Sequence, residues 1–127
     1  MKALPYKIST LVYLRDPEDR VLLMRRAKAP NQGLWSPIGG KLEMATGESP
    51  YQAAVREVME ETGLAVVPAD LHLFALMAEE AYEGTGHWLM FLFTCRKRLP
   101  GLPPPISEGC FAFFREAEVE NLPIPET

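Results

Sequence analysis

The residues best suited to chemistry stand in one run, Arg56-Glu57-Val58-Met59-Glu60-Glu61. On a helix turning about 100° per residue, Glu57, Glu60 and Glu61 fall within an arc of about 100°. Their i,i+3 and i,i+4 spacings repel, and they lie in the half of the helix where the dipole disfavours anions. Each effect costs from a few tenths to about 1 kcal/mol. Only Arg56 offsets them, against Glu60 and in the weaker orientation. The residues alone leave two readings open. One is a solvated acidic face. The other is a site for a hard divalent cation, Mg²⁺ or Mn²⁺, held by oxygen ligands. Magnesium suits an open helix face because it keeps several waters and uses few carboxylates plus substrate phosphates.

The charge distribution points the same way. The net charge of -4 and pI of about 5.2 argue against a general binder of polymeric nucleic acid. Residues 1–41 hold eight Lys and Arg against three Asp and Glu, and residues 42–127 hold five against fourteen. A basic third joined to an acidic remainder is either an accident of composition or what a phosphate-plus-metal site looks like in sequence. Arg25, Arg26, Lys28 and Lys41 flank a loop where phosphates would meet cations. Alternation along a strand leaves at most one of Arg25 and Arg26 facing a ligand. No Ser/His/Asp or Cys/His nucleophile pattern is present. His72, in an apolar strand, reads as structural, and His87, beside the Gly86 turn, as exposed or near substrate.

The elements that must position these residues are partly punctuated. Ser49 is an N-cap, Pro50 suits the first helical position, Gln52 completes a capping box, and Gly63 is the stop. Tyr51, Ala54, Val55, Val58 and Thr62 form the core-facing stripe of that helix. Ile8–Leu14 and Val21–Met24, joined by the polar turn 15–20, read as a hairpin. Residues 27–48, broken by Pro30 and Pro37 and rich in glycine, read as a long functional loop. Leu64–Val67, Leu71–Ala78, Trp88–Cys95 and Phe111–Phe114 are strand candidates. Polar residues 79–86 and proline-rich residues 99–105 form loops, and Glu116–Leu122 reads as a short helix. The order predicts a mixed sheet with a helix packed on it, an α+β or layered α/β domain.

The chain has 127 residues, enough for one domain over 1–127. Its longest apolar run, Trp88–Phe93, is too short to span a bilayer, so no membrane is expected. The N-terminal text has no signal-peptide core, which predicts a cytoplasmic protein. Cys95 and Cys110 are too few for a disulfide scaffold and read as reduced thiols.

The text from Gly40 to Leu64, GKLEMATGESPYQAAVREVMEETGL, resembles the Nudix box, G-x5-E-x7-R-E-U-x-E-E-x-G-U with U aliphatic. Glu48, Arg56, Glu57, Val58, Glu60, Glu61, Gly63 and Leu64 match at the family spacing. The departure is upstream, where seven residues rather than five separate Gly40 from Glu48, as though Ala45-Thr46 were inserted. The resemblance implies a Nudix-like mixed sheet sandwiched by helices. A second, C-terminal helix is usual there, and this sequence stops about where it would begin.

It also implies roles. Glu57, Glu60 and Glu61, with the Gly40 carbonyl, would be metal ligands. Arg56 would orient Glu57, with Glu48 as its counter-charge. Glu108, ahead of the aromatic pair Phe113-Phe114, stands where relatives cleaving nucleoside triphosphates carry a glutamate that reaches metal or water. Arg25, Arg26 and Lys41 would meet phosphates. Trp35 and Ser36 lie in text similar to that of relatives cleaving oxidised guanine nucleotides, although Ser36 replaces an Asn that reads the base.

The expected activity is Mg²⁺-dependent hydrolysis of a small nucleotide. The first choice is a nucleoside triphosphate, cleaved to monophosphate and pyrophosphate, with an oxidised purine favoured. A dinucleoside polyphosphate or nucleotide-sugar hydrolase is the alternative. Tyr82 fits the dinucleoside branch weakly, and Ala78-Glu79, where the ADP-ribose branch has a proline, speaks against that branch. From another class comes a nucleotide sensor without catalysis, disfavoured by the complete REVMEE cluster. The chain is expected to be a monomer or homodimer.

Overall fold

The computed structural model describes residues 6–28, 31–82 and 86–123, with side chains omitted for 81 and 82. The Pro30 break, part of the expected loop at 79–86 and most of the LPIPET end lie outside the described residues. Two sheets enclose the core. The first has the order β4-β1-β6-β5, with strands β1 Tyr6–Tyr13, β4 Ile38–Lys41, β5 Leu71–Tyr82 and β6 Gly86–Cys95. Its β1–β6 pair is parallel, and the other pairs are antiparallel. The second sheet is antiparallel, β3-β2-β7, built from β2 Val21–Arg26, β3 Trp35–Ser36 and β7 Gly109–Phe114.

The long helix α1, Pro50–Thr62, has the ends its sequence dictates. Ser49 Oγ accepts the Gln52 N–H at 3.2 Å, and Gln52 Oε1 accepts the Ser49 N–H at 2.8 Å. Gly63 turns left-handed, φ +77°, and its N–H donates to Met59 O. The stripe packs as expected at Ala54 and Val58, which meet Val12, Leu14, Leu22, Met24, Ile38 and Phe93. Tyr51 sits at the rim, its ring edge-on to Phe93 at 4.9 Å. Burying this stripe gives α1 most of its stability, since short helices are marginal alone.

The expected hairpin is only a corner. The turn forms, with Asp16 Oδ1 accepting the N–H groups of Glu18 and Arg20. Beyond the Arg15–Val21 bridge the strands diverge into different sheets. Each has stronger partners elsewhere: β1 lies between β4 and β6, and β2 between β3 and β7. Four further expectations need correction. Residues 64–67 form no strand: Leu64 and Val66 pack into the core, and Pro68 opens a 3-10 turn at Pro68–Asp70. The 27–48 loop contains β3, β4 and a 3-10 turn at Met44–Thr46, which takes up the extra residues after Gly40. Strand β5 extends through Tyr82, and helix α2 closes early, at Glu116–Val119.

Candidate active site

The site begins where β4 meets α1. Gly39 has φ +154°, and a Cβ there would collide with Thr10 O of β1, so the two strands approach as only glycine permits. At Gly40 a Cβ would instead lie 2.5 Å from Glu57 Oε1. The Glu57 carboxyl fills the space that a side chain would take.

Arg56 organises the carboxylates. Its Nε and Nη2 make a two-pronged bond to Glu48, at 2.8 and 2.9 Å. Nη1 reaches Glu57 Oε1 at 2.9 Å and Glu60 Oε2 at 3.2 Å, and Nη2 donates to Lys41 O at 3.2 Å. A planar guanidinium bridges all these acceptors, which a lysine cannot do. The hydrogen bonds from Arg56 hold Glu48 below the usual carboxylate range, and Glu48 in turn raises the pKa of Arg56. Glu48 Oε1 also accepts the Glu43 N–H at 3.0 Å, tying the 3-10 turn to the site.

Burial pushes the Glu57 carboxyl up, against the opposing pull of Arg56. Glu61 goes further. Only 8% exposed, it is raised to about 8 by burial first, then by the charge of Glu57, with smaller contributions from Glu108 and Glu60. Its Oε2 accepts the Gly39 N–H at 3.1 Å, a stabilising bond that does not offset the burial. Glu60 is exposed. Glu108 sits on the exposed turn between the bridged residues Ile106 and Gly109, and its carbonyl accepts the Ala27 N–H at 2.8 Å.

The structure therefore brings together Glu48, Arg56, Glu57, Glu60, Glu61 and Gly40, with Glu108 close enough to shift Glu61. Among the described residues no three carboxylates form a ready-made metal cage. The donor set is nevertheless all hard oxygen. Its most buried member, Glu61, has its carboxyl pushed up to about 8 by burial and the neighbouring charge of Glu57.

The other expected residues are distributed differently. Lys41 follows Gly40 on β4, so its side chain leaves the opposite face from Gly40, and its ammonium lies over the Trp88 ring at 5.8 Å. It does not point to the carboxylates. Trp35 packs its ring edge-on against Phe114 at 4.9 Å, and its backbone N–H donates to Pro123 O at 2.8 Å. Ser36, opposite Met24, faces the other way from Trp35. Arg25 is paired with Cys110 and Trp35, and Arg26 with Gly109, so the arginines do project oppositely. Both line an open depression of about 360 Å³ with Gln32, Gly33 and Ile106, which the three carboxylates of α1 do not line. His72 is exposed on β5 rather than buried, and His87 stacks on Tyr6 at 5.0 Å. Both cysteines are free thiols, Cys95 buried and Cys110 exposed.

Two residues escaped the sequence reading. Gly39 both admits β4 to β1 and holds Glu61; its only signal is the glycine pair. Thr10, opposite Gly40 on β1, has a buried hydroxyl without a partner among the described residues. Its only signal is the hydroxyl pair Ser9-Thr10 in the middle of the strand.

The NUDIX domain family matches residues 5–126, and the chain belongs to that family. It is 29% identical over 84% of its length to an uncharacterized Nudix hydrolase, YvcI, of Bacillus subtilis, covering 65% of that protein. It is 45% identical over 60 residues, 47% of this chain and 36% of the relative, to the oxidized purine nucleoside triphosphate hydrolase of Danio rerio. Other matched relatives are named for dihydroneopterin triphosphate in Escherichia coli and for ADP-ribose in Methanocaldococcus jannaschii. The chain spans less than two thirds of the length of these curated relatives. Its fold matches the MutT protein of Methanosarcina mazei with a TM-score of 0.81 at 24% identity, over 98% of this chain and 88% of that one. No helix among the described residues is long and apolar enough to cross a membrane.

Proposed function

We propose that this chain is a Mg²⁺-dependent hydrolase of phosphoric anhydride bonds in small nucleotides. Its favoured substrate is a nucleoside triphosphate, cleaved to monophosphate and pyrophosphate. The observation that carries the reading is Glu57, seated against Gly40 and held by an arginine that Glu48 in turn holds. That arrangement fixes a buried carboxylate in one orientation, which general acid-base and metal-ligand roles both need and a solvated face does not.

Glu57, Glu60, Glu61 and the Gly40 carbonyl are the groups that would hold Mg²⁺, with Mn²⁺ as a substitute; the donor chemistry fits. When bound, the cation supplies charge neutralisation for the phosphate oxygens and leaving group. Arg56 keeps Glu57 aimed, and Glu48 keeps Arg56 aimed. A carboxylate takes the proton of the attacking water, and Glu57 and Glu108 are the two groups put forward for it. One of Arg25 and Arg26 is the proposed phosphate-side cation: Arg26, on the face of β2 that carries Leu22 and Met24, or Arg25, exposed on the opposite face. Lys41 and Trp35 are left out of the proposal on the geometry above.

An oxidised purine remains the first choice of base. Its support is the PNQGLW text with Glu108 ahead of Phe113-Phe114, together with the Danio rerio relative. The expected setting is the cytoplasm, with a free nucleotide rather than a polymer as partner. The test is the ratio of kcat/KM for an oxidised guanine triphosphate over its unmodified counterpart. A matched donor-acceptor pair gives about 10²-fold or more. A ratio near one removes the oxidised-base assignment and leaves a general triphosphate or dinucleoside polyphosphate hydrolase.

A further inference from the structure

The longest strand among the described residues, β5, is also an edge there: it pairs with β6 on one side and with no described strand on the other. Long edges are normally blunted with lysine, proline, a bulge or a covering element, and β5 carries register shifts between Leu73 and Ala75 and between Glu79 and Tyr82. From Leu71 to Tyr82 there is neither Lys nor Pro. Two of the large exposed apolar side chains of the molecule, Phe74 at 48% and Leu76 at 58%, stand on this strand.

Its polar side chains sit toward its ends, with His72 near the start, Glu79 and Glu80 near the finish, and the uncharged run Leu73–Ala78 between. The pairing with β6 sets which side chains share a face. His72, Ala75, Met77 and Glu79 lie opposite Thr94, Leu92, Met90 and Trp88, and so point one way. Leu71, Leu73, Leu76 and Ala78 point the other way, with Phe74 as the extra residue of a bulge.

We propose that β5 is the interface of a two-fold homodimer, two copies joining antiparallel along this edge with Leu76 against Leu76. With the bulge passed over, Ala75 meets Met77 of the other copy, Leu73 meets Ala78, and His72 meets Glu79. Every pair shares a face, so no side chain is forced to the wrong side. A parallel junction would set His72 on His72 and Glu79 on Glu79. The antiparallel one sets unlike groups together twice and leaves the apolar run self-matched. A two-fold contact closes after two copies, so the edge is consumed without forming fibres. The inference is independent of the hydrolase reading.

Sedimentation velocity over a concentration series tests it, on the wild-type chain and on Leu76→Lys, His72→Glu and the double variant His72→Glu/Glu79→Lys. The wild type should dimerise reversibly. Leu76→Lys and His72→Glu should each raise the dimer dissociation constant roughly tenfold or more. The double variant restores unlike pairs and should recover most of the loss, which a folding defect would not do. A wild type that stays monomeric at every concentration overturns the interface. So does a dimer indifferent to Leu76→Lys, or a double variant no better than His72→Glu alone.

Discussion

Gly40 and Glu57 share one volume: a methyl group on the glycine would stand 2.5 Å from the Glu57 carboxylate oxygen. The neighbour that would have to move is the end of a flexible side chain, not backbone. Gly40→Ala should therefore fold with little loss of stability while turning Glu57 off its bearing, lowering kcat by about tenfold or more. Gly39→Ala should do the reverse. Its Cβ meets the Thr10 backbone at a positive φ, so it should destabilise by several kcal/mol, on the order of other strained or overpacked sites. Thermal melts and single-turnover rates on both variants check the contrast. Equal melting losses at the two glycines would contradict it.

Arg56→Lys tests the bridge. Lysine can pair with one carboxylate but cannot hold Glu48 and Glu57 together. With Glu48 and Glu57 only 11% and 12% exposed, losing the fork should destabilise by about 1–3 kcal/mol and depress kcat more than it raises KM. Turnover within twofold of wild type would remove Arg56 as the positioning group.

How much of this was legible in the sequence depended on range. Helix α1 was, because Ser49, Gln52 and Gly63 write its ends in adjacent residues. Strands β3 and β4 were not: Trp35-Ser36 and Ile38–Lys41 are short, carry two glycines, and exist only by pairing with β2 and β1. The divergence of β1 and β2 was hidden for the same reason, since partner choice is a tertiary matter. Residue type identified the acidic cluster, but not that Glu61 is buried while Glu60, one step away, is exposed. For Lys41 and Trp35 the side-chain direction was not legible, because alternation in unseen strands decides where they point.

Glu61 makes a pH prediction. Its folded pKa, about 8, lies above its ordinary value of 4.5, so between those values the metal-free native state holds a proton that the unfolded chain has lost. Stability therefore falls as pH rises through this window, by at most ~1.4 kcal/mol per pH unit. Glu61→Gln removes the dependence, and the metal-free variant should match wild type near pH 4.5 and exceed it near pH 8. A cation must displace the same proton, so wild-type Mg²⁺ affinity should rise across the window. Denaturant melts at several pH values, with and without Mg²⁺, measure both. A wild type that gains on Glu61→Gln as pH rises would contradict the sign.

Thr10 has a buried hydroxyl without a partner among the described residues. Thr10→Val keeps the shape and removes the unsatisfied group, so stability should stay level or rise by about 1 kcal/mol. A loss of that size would show that the hydroxyl has a partner in solution, and denaturant midpoints decide it.

Glu108→Gln separates the two candidate bases. If Glu108 acts on the attacking water, kcat falls with KM nearly unchanged; a change confined to KM gives it a binding role and leaves Glu57 as the base. The central claim is that the Arg56-held carboxylates form a metal-dependent phosphohydrolase site. The most direct measurement is product analysis on a panel of nucleoside triphosphates, with Mg²⁺ and with chelator, for wild type and Glu57→Gln. The account predicts monophosphate and pyrophosphate from wild type only when Mg²⁺ is present, with at least about 10²-fold less from the variant. Nucleotide binding without metal-dependent turnover of any substrate, or undiminished turnover by Glu57→Gln, would contradict it.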